Sequence, residues 1–540
     1  MQPTVTATGP STGPGEWDVL VVGAGPVGMG LAIELGLRGM NVLLVEQRER
    51  AGAAPRAKTT NVRTRTILRR WELADRLAQE APLGLDYPSD MRFVTSLAGY
   101  PLATFENAFS TAPVRADTHP EHGQWVPQYT LERILREKVQ SLPTVSLHMG
   151  VRFLSFHQDE HGIHATLADG KGEMQVEARY LVGADGARSA VREAIGARME
   201  GRHGFSRHFN IIFRGTGLAQ AHKHGKAVAY WQVGPSGFSA VGPMDKDDLW
   251  FFGCAAEGEA TTLTDEDAAA RIRTATGIDL PFEIVAKDFW VSSELLADRY
   301  SKGRAFLAGD ACHQHPPFGG YGMNMGIGDA LDLGWKLAAT LQGWAGDGLL
   351  GSYEAERRPV HRTVIDEAVA NHPASLPLDM LSVIEEASPR GEAVRTGVGA
   401  RIAATKGREF HTLGTVLGLS YAGSPIVAVD PESPPAHDAQ NYRPSAVPGC
   451  LAPHAWLPDG RSLYDLFGPG FTLLAAPEAA GLAAAQADAA RLGVPLRIVQ
   501  PDGIDLRALY GARLALIRPD QFVAWRGDAW QDVFPLVTGQ

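Results

Sequence analysis

Three acids, each closing a short apolar run, are the residues of this chain best spaced to share one ligand. They are Glu46 after 42–45, Asp185 after 180–184, and Asp310 after 303–309. A carboxylate at a strand end accepts hydrogen bonds from sugar hydroxyls, as in dinucleotide sites. Ahead of the first acid stands Gly23-Ala-Gly25-Pro-Val-Gly28. Gly23 permits a tight turn, Gly25 lets the backbone approach a pyrophosphate, and Gly28 lets a helix pack against a strand. After the third acid comes His313-Gln-His315-Pro316-Pro317-Phe-Gly-Gly320-Tyr-Gly322-Met323-Asn324. Such a Gly/Pro loop leading into a helix offers backbone N–H groups to a second anionic or electron-rich group.

The elements that must carry these residues follow from periodicity. An apolar strand at 19–22, helical spacing at 27–37 and a second strand at 42–45 make a βαβ unit. Strand-like 180–185 leads to Ser189, an N-cap opening a further helix, and 303–310 leads to a helix over 324–341. In a mainly parallel sheet the carboxyl ends of these strands converge on one crevice. Helices are expected at 59–71 and 129–139, with an antiparallel insertion over 145–148, 163–167 and 174–178. The stretch 82–127 reads as irregular, with short strands such as 91–97. From 205 to about 290 aromatic-rich strands dominate, carrying Phe209, Tyr230, Trp231, Phe238, Trp250 and Phe252. They form either a plain sandwich core or one wall of an aromatic pocket.

Composition narrows the class. The 540 residues are 44% hydrophobic and 21% charged, enough for several globular domains. A net charge of -11 argues against nucleic acid and against an anionic membrane surface. Three distant cysteines, Cys254, Cys312 and Cys450, suit neither a disulfide framework nor a metal site, and reduced cytoplasmic thiols are the expectation. No apolar run reaches the roughly 18 residues of a membrane span. Residues 1–15 read as a disordered tail.

With these motifs together, the chain resembles the group A single-component flavoprotein aromatic hydroxylases, and within them the phenol hydroxylase-like branch. The GxGxxG at Gly23 to Gly28, the Asp185-Gly186 motif and the Gly309-Asp310 motif carry the resemblance. Arg56 in Pro-Arg-Ala, Gln128 in Pro-Gln-Tyr-x-Leu-Glu and Ser352-Tyr-x-x-Glu-Arg-Arg-Pro359 fit the same pattern. The implied fold is α/β: a Rossmann-like FAD-binding domain (16–200 and 296–365), an inserted antiparallel-sheet substrate domain (201–295), a helical segment and linker (366–448) and a thioredoxin-like C-terminal domain (449–540). That last domain lacks Cys-x-x-Cys, so packing or a homodimer contact is its expected role.

The implied cofactors are FAD and a transiently bound NADPH or NADH, since no second GxGxxG follows a strand. The implied reaction uses O₂ to hydroxylate a phenolic or related aromatic substrate through a flavin C4a-hydroperoxide. Baeyer–Villiger or epoxidising chemistry of the same branch and, outside catalysis, a flavin-bearing binding protein are the alternatives. Gly23, Gly25 and Gly28 would hold the pyrophosphate. Glu46, with Gln47 and Arg48, would take the adenosine ribose, and Asp310 the ribityl chain. Pro317, Gly320, Gly322, Met323 and Asn324 would line the isoalloxazine, with Arg56 and Gln128 beside it. Asp185 and Arg188 would serve both FAD and the nicotinamide. Phe209, Tyr230, Trp231, Phe238, Phe252 and Pro316 would meet the substrate. One member of that branch carries a histidine after its Pro-Arg motif and an aspartate before its Pro-Gln motif; here Lys58 and Trp125 stand there. Lys58, His313 and Pro316 are the candidate catalytic positions: Lys58 either stabilises a phenolate, pairs with a substrate carboxylate or is an exposed loop lysine, and His313 reads as structural ahead of catalytic.

Overall fold

The computed structural model describes residues 17–49, 57–235, 237–256, 258–372 and 378–540. Arg56 and the tail expected at 1–15 lie outside the described residues. The central sheet orders its strands as 301–302, 305–307, 172–183, 17–22, 42–46 and 145–149, and the hairpin 152–158/163–169 extends strand 172–183. Val19 pairs with both Tyr180 and Val42, and Leu181 with Ala305, all in parallel. Parallel strands are covered on both faces, which explains why 19–22 and 42–45 are continuously apolar. Helix Pro26–Gly36 packs between helices Gln128–Ser141 and Gly322–Leu341.

A second sheet of eight strands runs 313–314, 283–297, 199–214, 249–255, 237–243, 229–234, 91–94, 101–105. All its pairings are antiparallel except 229–234 with 91–94. The short strand expected near residue 91 therefore lies inside this sheet, between 229–234 and the edge strand 101–105. Helix Asp265–Thr276 covers one face, and Ile384, Val398, Ile402 and Phe410 from the helical segment cover the other. The C-terminal sheet, ordered 496–499, 471–475, 514–517, 523–527, has one parallel pair spanned by helix Leu482–Arg491 and an antiparallel hairpin added beside it. That is the thioredoxin-like arrangement. No helix among the described residues is long and apolar enough to cross a membrane.

Candidate active site

The parallel strands end on one edge, and the glycines there are forced by contact. Gly23 sits at φ +105, and a Cβ on it would lie 2.3 Å from the Ala184 carbonyl oxygen. A Cβ on Gly28 would lie 1.8 Å from the Gly23 carbonyl oxygen. Gly25 differs: nothing stands within 4 Å of the Cβ position. It caps helix Pro26–Gly36 with no side-chain hydrogen bond, so no side chain of the cap satisfies the first-turn N–H groups. Glu46 accepts from the Ala24 and Arg48 amides, both at 3.0 Å, with exposed Gln47 and Arg48 following it.

Asp185 accepts from the Val191 amide at 3.2 Å, while its buried Oδ1 has no partner. Burial raises its carboxyl above the usual range. Arg188 is exposed beside it. Gly309 and Gly326 both close on Val27, where added Cβ atoms would approach to 2.9 and 2.4 Å. The Gly309-Asp310 turn, the first helix and helix Gly322–Leu341 thus meet at the same edge, with Asp310 exposed on it. An uncapped helix start, a cleared glycine, an orphaned buried carboxylate oxygen and three converging acids fit an extended dinucleotide such as FAD.

A second constellation adjoins it. Strand Thr59–Thr60 pairs with Gln124–Trp125. The Ala57 amide donates to Gln128 Oε1 and the Gln128 amide to the Ala57 carbonyl, both at 3.0 Å. Asn324 Nδ2 donates to the Thr59 carbonyl at 2.9 Å and to the Gly320 carbonyl at 2.7 Å, while its Oδ1 accepts from the Asn61 amide at 3.0 Å. Gln128, Asn324 and Gly320 therefore grip the short strand that presents Lys58. Met323 is half-buried in the same helix start, whose Tyr321 cap also lacks a side-chain bond. Pro316 is buried in the loop; Pro317 is exposed.

Lys58 is half-buried as a residue, but its ammonium is withdrawn from water and lies 4.2 Å from the centre of the Phe251 ring. Burial pushes its pKa down to about 8, and no carboxylate among the described residues pairs with it. Trp125 lies 6.3 Å from Phe251 and 6.4 Å from Phe109, ring centre to ring centre. Trp231 stacks on Phe93 at 6.0 Å and meets Phe238 at 5.9 Å. The result is an aromatic face beside a lysine that has no carboxylate partner among the described residues.

The structure divides the expected aromatic wall. Trp231 and Phe238 lie on this face, but Phe209, Tyr230 and Phe252 point the other way, into the core under helix Asp265–Thr276. The Tyr230 hydroxyl donates to the Gly225 carbonyl. Neighbouring strand residues face opposite sides, so Trp231 and Phe251 belong together and Tyr230 and Phe252 with their backs to them. Phe251, Phe93 and Phe109 were not singled out by sequence; strand register, had it been known, would have found Phe251.

His313 takes the structural of its two expected places. It is fully buried, with Nε2 2.8 Å from Asp329 Oδ2. Asp329 also accepts from the Gly309 amide at 2.9 Å and from Arg357 at 2.7 Å, and His361 lies 3.0 Å from Oδ1. Burial opposes its ionisation, but His361 and Arg357 hold its carboxyl well below the usual range. This hub locks the 309–313 turn to two helices, and neither Asp329 nor His313 reaches the aromatic face. Cys312, His313 and Asp329 cluster within 4.8 Å, but Arg357 already supplies the cation there.

Comparison with known proteins agrees with this geometry. Residues 16–368 match the family model of an FAD binding domain, and residues 445–537 that of the aromatic-ring hydroxylase C-terminal region. The tetracenomycin A2 monooxygenase-dioxygenase of Streptomyces glaucescens is 34% identical over 95% of this chain and 94% of its own length. The rebeccamycin biosynthetic enzyme RebC with reduced flavin superposes at a TM-score of 0.87, with 35% identity over 97% of this chain and 99% of that one. Aklavinone-11 hydroxylase, solved with FAD and aklavinone, gives 0.82 and 32% over 97% and 99%. On these matches and on the site just described, the chain belongs to the FAD-dependent aromatic-ring hydroxylases and is a flavoprotein monooxygenase.

Proposed function

We propose that this enzyme hydroxylates an extended, polycyclic phenol laid against Trp125, Trp231, Phe238 and Phe251 with an acidic hydroxyl at Lys58. The observation that carries this reading is the Lys58 ammonium, without a carboxylate partner among the described residues, beside an aromatic face. A desolvated cation without a carboxylate is costly, and an anionic substrate group removes that cost. Relatives named for tetracenomycin and aklavinone support a large ring system over a single ring.

FAD, when bound, would accept electrons from NAD(P)H and pass them to O₂. The residues that would hold it are Gly23, Gly25 and Gly28 for the pyrophosphate, Glu46 with Gln47 and Arg48 for the adenosine ribose, and Asp310 for the ribityl chain. The loop from Pro316 to Asn324 and Gln128 would lie along the ring system, with Asp185 and Arg188 toward the nicotinamide side. The Lys58 ammonium beside the substrate hydroxyl lowers that hydroxyl's pKa, so the substrate binds as its phenolate with its proton left to solvent, and the cation stays beside the phenolate oxygen. The negative charge makes ring carbons ortho and para to it more nucleophilic. The aromatic face excludes water from the reacting carbon.

The test is oxidation of NADH and NADPH in the presence of aklavinone or unsubstituted phenol, with products followed by mass spectrometry. Aklavinone-dependent consumption with one added oxygen atom is expected. Preference for phenol, or consumption indifferent to either compound, overturns the reading.

A further inference from the structure

The chain between Ser110 and Gly123 forms a loop whose ends touch and whose middle leaves the substrate face altogether. The Gly123 amide donates to the Ser110 carbonyl at 2.7 Å, and a Cβ on Gly123 would lie 2.4 Å from the Phe109 carbonyl oxygen. The neck is strained: Asn107, Phe109 and Ser110 hold φ of 49°, 57° and 55°, a region that L-residues with bulky side chains avoid. Phe109 and Trp125, one at each side of this neck, stack on one another. Both belong to the aromatic face that carries Lys58.

The loop has little core of its own, since 113–115 and 117 are exposed. Its contacts are with the C-terminal domain. Trp456 Nε1 donates to the Ala116 carbonyl at 2.8 Å, the Arg115 guanidinium lies 4.1 Å over the Trp456 ring, and His454 Nδ1 is 3.1 Å from the Asp117 carbonyl. Further along, buried Glu121 accepts from Arg65 at 2.9 Å and from Arg69 at 3.0 Å. Arg69 then donates twice to Asp465 at 2.8 Å, and Arg65 donates to Gln124 Oε1 at 2.9 Å, next to Trp125. An unbroken set of polar contacts joins the C-terminal domain to the strand pair presenting Trp125 and Lys58.

We infer that the thioredoxin-like domain sets the position of the substrate wall, with Trp456 and Asp465 acting as positioning residues through loop 110–123. A strained turn persists only while its surroundings hold it. Releasing the loop tip lets Phe109 and Ser110 relax and loosens the stack on Trp125. The cofactor edge at Gly23 to Gly28 lies outside this contact set and keeps its geometry. The inference rests on the hydroxylase reading for its catalytic consequence, but not for the mechanical coupling itself.

The experiment compares full-length, FAD-loaded parent with Trp456→Ala and Asp465→Asn, and with Arg491→Ala as a control. Arg491 pairs with Asp532 in the same domain and makes no contact with the loop. Hydrogen exchange of the 107–126 amides, the dissociation constant of aklavinone, and the fraction of NAD(P)H oxidation that ends in oxygenated product are measured. Faster exchange at 107–111 and 123–126 is expected in the first two variants with FAD content unchanged. Aklavinone affinity falls about tenfold, or about 1.4 kcal/mol of binding, and the productive fraction drops. The Arg491→Ala control behaves as the parent. If Trp456→Ala does not fold, Arg115→Ala on the exposed side of the same contact replaces it. Unchanged exchange at 107–126 in folded variants overturns the coupling. Changed exchange with affinity and productive fraction intact overturns the positioning role. A parent that neither binds nor oxygenates aklavinone fails the hydroxylase reading instead, and the exchange data still decide the coupling.

Discussion

Under the proposed hydroxylase reading, Lys58 is placed for function at a cost in stability. Its pKa lies near 8 in the folded chain against an ordinary 10.5, because burial disfavours the charged form. Below pH 8 both states bind the proton and the folded protein bears the full desolvation cost. Stability is regained as pH rises from about 8 toward 10.5, where both states are neutral. Lys58→Met is therefore expected to stabilise the protein at pH 7, by at most about 3 kcal/mol for a shift of this size. It should also flatten the rise in melting temperature between pH 8 and 10, while turnover of a phenolic substrate falls. Melting curves of both proteins at pH 7 and pH 10 check the sign; a variant less stable than the parent at pH 7 contradicts it. His313 teaches the converse. Its residue type and motif position suggested chemistry, but a histidine between Asp329 and His361 with no exposed surface is part of the scaffold.

At the scale of elements, the turn after strand Trp17–Val22 separates folding from ligand binding within six residues. Gly25 has backbone angles open to any residue and empty space beyond its Cβ position. Gly25→Val is expected to fold with a melting temperature within a few degrees of FAD-free parent, yet to lose FAD, since the branched side chain would stand where the pyrophosphate approaches. Gly28→Ala is expected to fail at folding, because its methyl group would overlap the Gly23 carbonyl, and displacing helix or strand costs several kcal/mol. Expression, circular dichroism and flavin absorbance of the two variants separate these outcomes. Helix Pro389–Phe410 is a second case. Gly399 lets it rest on the Leu102 backbone, where a Cβ would lie 2.3 Å from the carbonyl oxygen, and so brings Phe410 against Phe93, Phe105 and Phe109. The segment expected to be connecting helix thus packs into the aromatic cluster of the second sheet.

Over the whole molecule, a buried charge network keys the C-terminal domain to the cofactor domain. Arg518 donates to Glu356 at 2.6 Å, to Asp520 at 2.6 Å and to Asp332 at 3.1 Å, and Lys336 donates to Asp332 at 2.9 Å. Burial pushes the Asp332 carboxyl up, and Lys336 and Arg518, donating to its two oxygens, pull it back down. Removing one member leaves an uncompensated buried charge, which costs about 3–5 kcal/mol. Arg518→Met is expected to lower the melting temperature and to make 445–537 sensitive to proteolysis before the cofactor domain; simultaneous loss of both parts would show that the network does not key the domains. The sequence alone determined the βαβ cofactor unit, the three strand-end acids and the flavoprotein family. Glycine spacing and strand-terminal charge are local signals, written within some thirty residues of chain. Which face each aromatic takes, His313 as scaffold, the packing of helix Pro389–Phe410 and the anchoring of loop 110–123 were decided only by the tertiary structure. Each depends on strand register or on contacts across hundreds of residues, and a one-residue slip in register reverses every side chain.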